Sequence, residues 1–171
     1  MELRAHVLAH PPRCLADVRA AATDLVEDRD MDSVAFQLSS PAGSAAAWVL
    51  GHRGSRYNLR YDGNEFISPL SLSWPDAASA TPFFDSDVHG YHGEMECPAK
   101  LRGEGSPEPF VRPGRGGDLF QVRVQLDHGG ACQDLVEDEP ELAVEDYFMN
   151  LMVDGRCTAC GRDSRILDMD L

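Results

Sequence analysis

Lysine is nearly missing: Lys100 is the only one in 171 residues, and the other basic side chains are arginines. With alanine abundant, that usage suggests a GC-rich bacterial genome. Positive charge of any kind is scarce. Acidic residues outnumber Lys and Arg 29 to 15, for a formal charge of −14. Broad binding to nucleic acid or to anionic membrane is therefore not expected, because both surfaces are negative. No apolar run approaches the roughly 20 residues of a membrane helix. Met1-Glu2-Leu3-Arg4-Ala5-His6 also lacks the basic flank and apolar stretch of a signal peptide.

Catalytic signatures are missing too. The chain has no Gly-x-Ser-x-Gly elbow, no phosphate loop ending in Gly-Lys-Ser/Thr, no dinucleotide glycine fingerprint and no His-Glu-x-x-His. Gly114-Arg115-Gly116-Gly117-Asp118 is glycine-rich but has no lysine and leads into a strand, so it reads as a turn. Five cysteines are present, Cys14, Cys97, Cys132, Cys157 and Cys160. An odd count without a signal peptide points to reducing cytoplasm, not to a disulfide framework.

What is present is enough for a core: 43% of residues are hydrophobic and 26% charged. The length suits one domain over 1–171. Leu3, Ala5 and Val7 alternate with polar residues, a short strand signal. Pro11-Pro12 then precedes a stripe of Leu15, Val18, Ala22 and Leu25, which predicts a helix over about 13–28. Val34, Phe36 and Leu38 predict a strand, Pro41 to Ser44 a turn, and Ala45 to Leu50 a second strand closed by Gly51 to Gly54. Tyr57, Leu59 and Tyr61 alternate before the hairpin dipeptide Asp62-Gly63. Phe66, Leu70, Leu72 and Trp74 share one parity, with Pro69 marking an edge or a bulge.

Regularity weakens over 75–93, and 98–117 reads as a long surface loop, with a short strand expected over Tyr91 to Cys97. Phe120, Val122, Val124 and Leu126 give the clearest strand. A second helix is predicted over about 139–153, with Asp138 and Glu141 as a capping box and Val144, Phe148, Leu151 and Met152 as its apolar face. A last strand is expected near Arg165 to Met169. The expected class is α+β: a mostly antiparallel sheet with two helices packed on it and a C-terminal Cys-x-x-Cys turn. Phe36, Leu38, Tyr57, Leu72, Phe120, Val122, Val124, Phe148 and Leu151 form the expected core.

Two clusters suit metal chemistry. Cys157 and Cys160 flank two residues and precede Gly161, a turn in which two thiolates can bind one tetrahedral zinc ion. A structural site needs four ligands, so the missing ones would come from Cys97, Cys132, His89, His92 or His128. The second cluster is the run from Asp85 to Cys97. If extended, it would put His92, Glu94 and Glu96 on one face, with His89 reaching in from the turn.

Charge is uneven. From Asp127 to Asp154 there are nine acidic residues and no Lys or Arg. Many of them fall at the start of the expected second helix, where the helix dipole favours negative charge. Arg53, Arg56 and Arg60 form a small basic stretch. The sequence thus points to a small acidic cytoplasmic binding protein of inhibitor or toxin-immunity type. It would engage a basic protein partner through Glu137, Glu141, Glu145 and Asp146. The alternative is a metal-dependent enzyme or metal-handling protein centred on His89, His92, Glu94 and the cysteines.

Overall fold

The computed structural model describes residues 3–23, 32–53, 66–89, 106–110, 118–128, 137–139, 141 and 150–170. They form mostly antiparallel sheet with few helices. In chain order the elements are α1 (Leu3–Ala9), a 3-10 turn (Arg13–Leu15), β1 (Arg19–Thr23), β2 (Asp32–Ser39), β3 (Trp48–Arg53), β4 (Phe66–Ser73), β5 (Thr81–Phe84), α2 (Ser86–His89), β6 (Glu108–Pro109), β7 (Phe120–His128), β8 (Asn150–Cys157) and β9 (Asp163–Asp170). One sheet has five strands in the order β1-β2-β7-β8-β9, and the other has four in the order β5-β4-β3-β6.

The period-2 pattern of β7 positions the core. Phe120, Val122, Val124 and Leu126 are fully buried, while Gln121, Arg123 and Gln125 face outward. In register with them, Phe36 of β2 lies opposite Val124, and Val153 of β8 lies opposite Val124 on the other side. Val49, Leu70, Leu72, Phe83 and Phe84 of the four-stranded sheet, with Trp74 just after β4, join the same cluster. A backbone bridge joins the two sheets where Ala47 and Phe120 exchange both hydrogen bonds at 2.9 Å.

Two local devices shape the smaller sheet. Ser40 follows β2, accepts hydrogen bonds on Oγ from the Gly43 and Ser44 amides, and donates to Asp76 Oδ2 at 2.8 Å. Gly43 takes a positive φ of 108° in this turn. The bond from Ser40 holds the Asp76 carboxyl below its ordinary pKa. In the β3–β4 ladder, Leu50 pairs with Ser71 and His52 with Ile67, so Gly51 alone faces three residues. Pro69 sits in that bulge, where its missing N–H costs no ladder bond. It therefore marks a bulge and not an edge, since β4 lies between β3 and β5.

Several elements differ from the sequence reading. Residues 3–9 are helix, not strand: Leu3 and Val7 are four apart, a spacing a helix shares, and the neighbours His6 and Val7 are both buried. The helix over 13–28 is absent in its described part, which holds a single 3-10 turn and then β1. Pairing of β1 with β2 overrides the helix propensity of Ala20, Ala21 and Ala22. The helix over 139–153 is likewise contradicted at Asn150–Val153, the first half of β8. Leu151, Met152 and Val153 are all buried, and such a run lacks the alternation that separates strand from helix. Strand β3 continues through Gly51, His52 and Arg53, read as a turn. The stretches 75–93 and 98–117 contain β5, α2 and β6. The expected strands at Tyr57–Tyr61 and Tyr91–Cys97, the Asp62-Gly63 hairpin, and Phe148 lie outside the described residues.

Candidate functional site

The cysteine pair lies at the tip of the β8–β9 hairpin. Residues Thr158–Cys160 form the turn, Gly161 takes φ of 70°, and its N–H donates to the Cys157 carbonyl at 2.8 Å. The Cys157 N–H donates to Arg162 at 2.9 Å, closing the tip. Thr158 anchors it by donating from its amide and its hydroxyl to the Leu119 carbonyl, at 2.9 and 3.1 Å. Cys157 ends β8 with its thiol buried, and makes a 3.8 Å S–H···O contact to Oδ1 of the buried Asp118. Cys160 is exposed. Sequence reasoning missed Asp118 because it lies 39 residues from Cys157 along the chain.

His89 lies on a different element from that tip. It ends α2, where its Nδ1 accepts the Asp85 amide at 3.0 Å and its ring stacks on Phe84 at 6.0 Å. Its carbonyl accepts from Arg13 at 3.1 Å. An Nδ1 that accepts an amide hydrogen fixes the Nε2–H tautomer of a neutral ring. Cys97, Cys132, His92 and Glu94 lie outside the described residues. Among the described residues, no three His, Cys, Asp or Glu side chains group closely enough to hold a metal ion.

The acidic stretch divides in two. Glu137, Asp138, Glu139 and Glu141 are solvent-exposed. Asp127 and Asp154 belong to the five-stranded sheet. Asp127 is buried and accepts from Gln125 at 2.9 Å. Asp154 sits between two arginines that the register places beside it: Arg123 of β7 at 3.1 Å and Arg165 of β9 at 2.6 Å. Arg165 also reaches Asp168 at 2.8 Å. Burial penalises the Arg165 cation, but the two carboxylates outweigh it and hold its pKa above the ordinary value. The ladder has its signal in the sequence, since charges at Arg123, Asp154 and Arg165 occupy the outward parity of three strands. Finding it requires the register. Glu145 and Asp146 lie outside the described residues.

Comparison with known proteins brings no relative: no protein family, curated protein or solved structure is significantly similar to this chain.

Proposed function

We propose that the chain is a small acidic binding protein of inhibitor or toxin-immunity type, acting in the cytoplasm on a basic protein partner. The observation that carries this reading is the solvent exposure of Glu137, Asp138, Glu139 and Glu141 within a stretch that has no Lys or Arg. Two of the chain's scarce cations, Arg123 and Arg165, are meanwhile engaged by its own Asp154 and Asp168. Exposed carboxylates of that stretch would attract a cationic surface and speed encounter.

The test begins with isolation of the tagged protein from its own cells at low salt and identification of any stoichiometric partner. Association is then timed as ionic strength rises from about 0.01 M to about 0.15 M, a range that shortens the screening length roughly fourfold. The expected result is a basic partner, an association rate falling about tenfold or more, and a further fall on replacing Asp138 and Glu141 by Asn and Gln. An acidic or neutral partner, or a rate indifferent to salt and to the substitutions, overturns the reading.

Zinc at Cys157 and Cys160 is a second, compatible proposal, supported by the tight turn and by Gly161 at positive φ. Elemental analysis of protein purified without chelator tests it. The metal-enzyme alternative around His89, His92 and Glu94 gains no support from His89, whose Nδ1 is engaged within its own turn.

A further inference from the structure

Among the described residues, four strands close the edges of the two sheets, and three of them are guarded. Strand β9 carries Asp163, Arg165 and Asp168 and has a bulge at Val153/Asp154 in its ladder. Strand β5 is four residues long, contains Pro82 and pairs through another bulge. Strand β6 has two residues, Glu108 and Pro109. Charges, prolines, bulges and shortness are the devices by which sheets refuse a further strand.

Strand β1 has almost none of them. Its five residues pair with β2 in unbroken register, from Arg19 opposite Ser39 to Thr23 opposite Ala35. Arg19, Ala20, Ala21 and Ala22 are all solvent-exposed. Three successive alanines offer neither charge nor bulk to an arriving strand, and alternate residues turn their N–H and C=O away from β2. At the far end Arg4 donates to the Thr23 carbonyl at 3.4 Å, so addition is confined to Arg19–Ala22.

We infer that the edge of β1 receives an extended basic segment of the partner protein as an additional antiparallel strand. The inference rests on the proposed function above and adds to it the place and mode of contact. Main-chain hydrogen bonds would supply the adhesion, and the alanine methyls leave room for long neighbouring side chains. The occupant is basic because it approaches a chain of charge −14 and passes the exposed Asp17 just before the strand, its cations lying along Ala20–Ala22 and away from the exposed Arg19. A second copy fits poorly. It brings another −14, and a symmetric pair over Arg19–Ala22 sets Arg19 opposite Ala22, with no attractive contact.

Two peptides of about ten residues test this, one alternating Lys with Val and one alternating Glu with Val. Each is titrated at low salt into the full-length protein while amide exchange is followed by NMR. The expected result is slowing of about tenfold or more at alternate amides of Arg19–Ala22 with the Lys peptide and none with the Glu peptide. Ala21→Pro should abolish that protection and Ala21→Lys should weaken it, with the melting temperature of the Lys variant unchanged. Binding of the Lys peptide without protection of β1 overturns the inference but leaves a basic partner in place. Equal protection by both peptides overturns the basic assignment. If neither peptide binds, strand addition is overturned, while the salt-dependence experiment above judges the wider reading separately. Protection that instead grows with protein concentration, together with a dimer in sedimentation, assigns the edge to a second copy.

Discussion

At Gly155 the neighbours decide what a single methyl would cost. An added Cβ would come within 2.7 Å of Ile166 Cδ1 and 2.8 Å of Phe120 Cδ1, both in the core. Ile166 Cδ1 ends a flexible side chain and can turn aside, but the buried Phe120 ring, whose Cγ also lies 3.0 Å away, cannot move as a tip alone, so Gly155→Ala should destabilise by about 1–3 kcal/mol in urea denaturation. The cysteines offer a sharper comparison. If they only pack, Cys157→Ser should cost about 1–2 kcal/mol, since it puts a more polar group at a buried site, and Cys160→Ser should cost almost nothing. If they bind zinc, both substitutions and a chelator should lower the melting temperature together. His6 provides a pH test. Its burial lowers its pKa, and His10 with the N-terminus pushes the same way. The folded chain thus keeps its imidazole neutral to lower pH than the unfolded chain, which takes up a proton near 6.5. Stability from this site is present above that value and is lost as pH falls below it. Melting temperature should decline from about pH 7 to about pH 5, and His6→Gln should flatten the decline.

Among the elements, those with strict alternation were legible. Strands β2, β4 and β7 announce themselves because Phe36, Leu38, Leu72, Val122 and Val124 keep one parity against polar neighbours, and all five are buried. Strand β8 was not legible, because its inward and outward residues Leu151, Met152 and Val153 are all apolar. Nor was β1, whose alanines carry no alternation and which exists only through its pairing with β2. The charge ladder shows the same limit at the candidate site: each member is visible singly, but adjacency comes from strand order. Asp154→Asn would leave Arg165 with Asp168 alone and remove charge-assisted bonds to two arginines. We expect a loss of about 1–3 kcal/mol, read as a lower urea midpoint. Asp168→Asn should cost less, because Arg165 keeps its shorter bond to Asp154.

For the whole molecule, charge was the property easiest to read and the hardest to localise. The nine carboxylates between Asp127 and Asp154 look like one patch in the sequence. Two of them belong to the five-stranded sheet, while Glu137, Asp138, Glu139 and Glu141 are solvent-exposed. Substituting Glu141 by Gln should leave the melting temperature within about a degree of the parent, because exposed single charges contribute little to stability. The same substitution should still slow association with a cationic partner.

The central pair of the larger sheet also has a kinetic meaning. The Gln37 carboxamide donates to the Val122 carbonyl across 85 residues, within the pairing of β2 and β7. Closing so long a loop precedes any reward from the contact, so refolding should fall in the range of about milliseconds to seconds. Throughout that search, unpaired strands of neighbouring chains could join one another. Mutual repulsion between chains of charge −14 opposes such encounters until β2 meets β7. Added salt should therefore lower the yield of refolding at high protein concentration while leaving the rate at high dilution nearly constant.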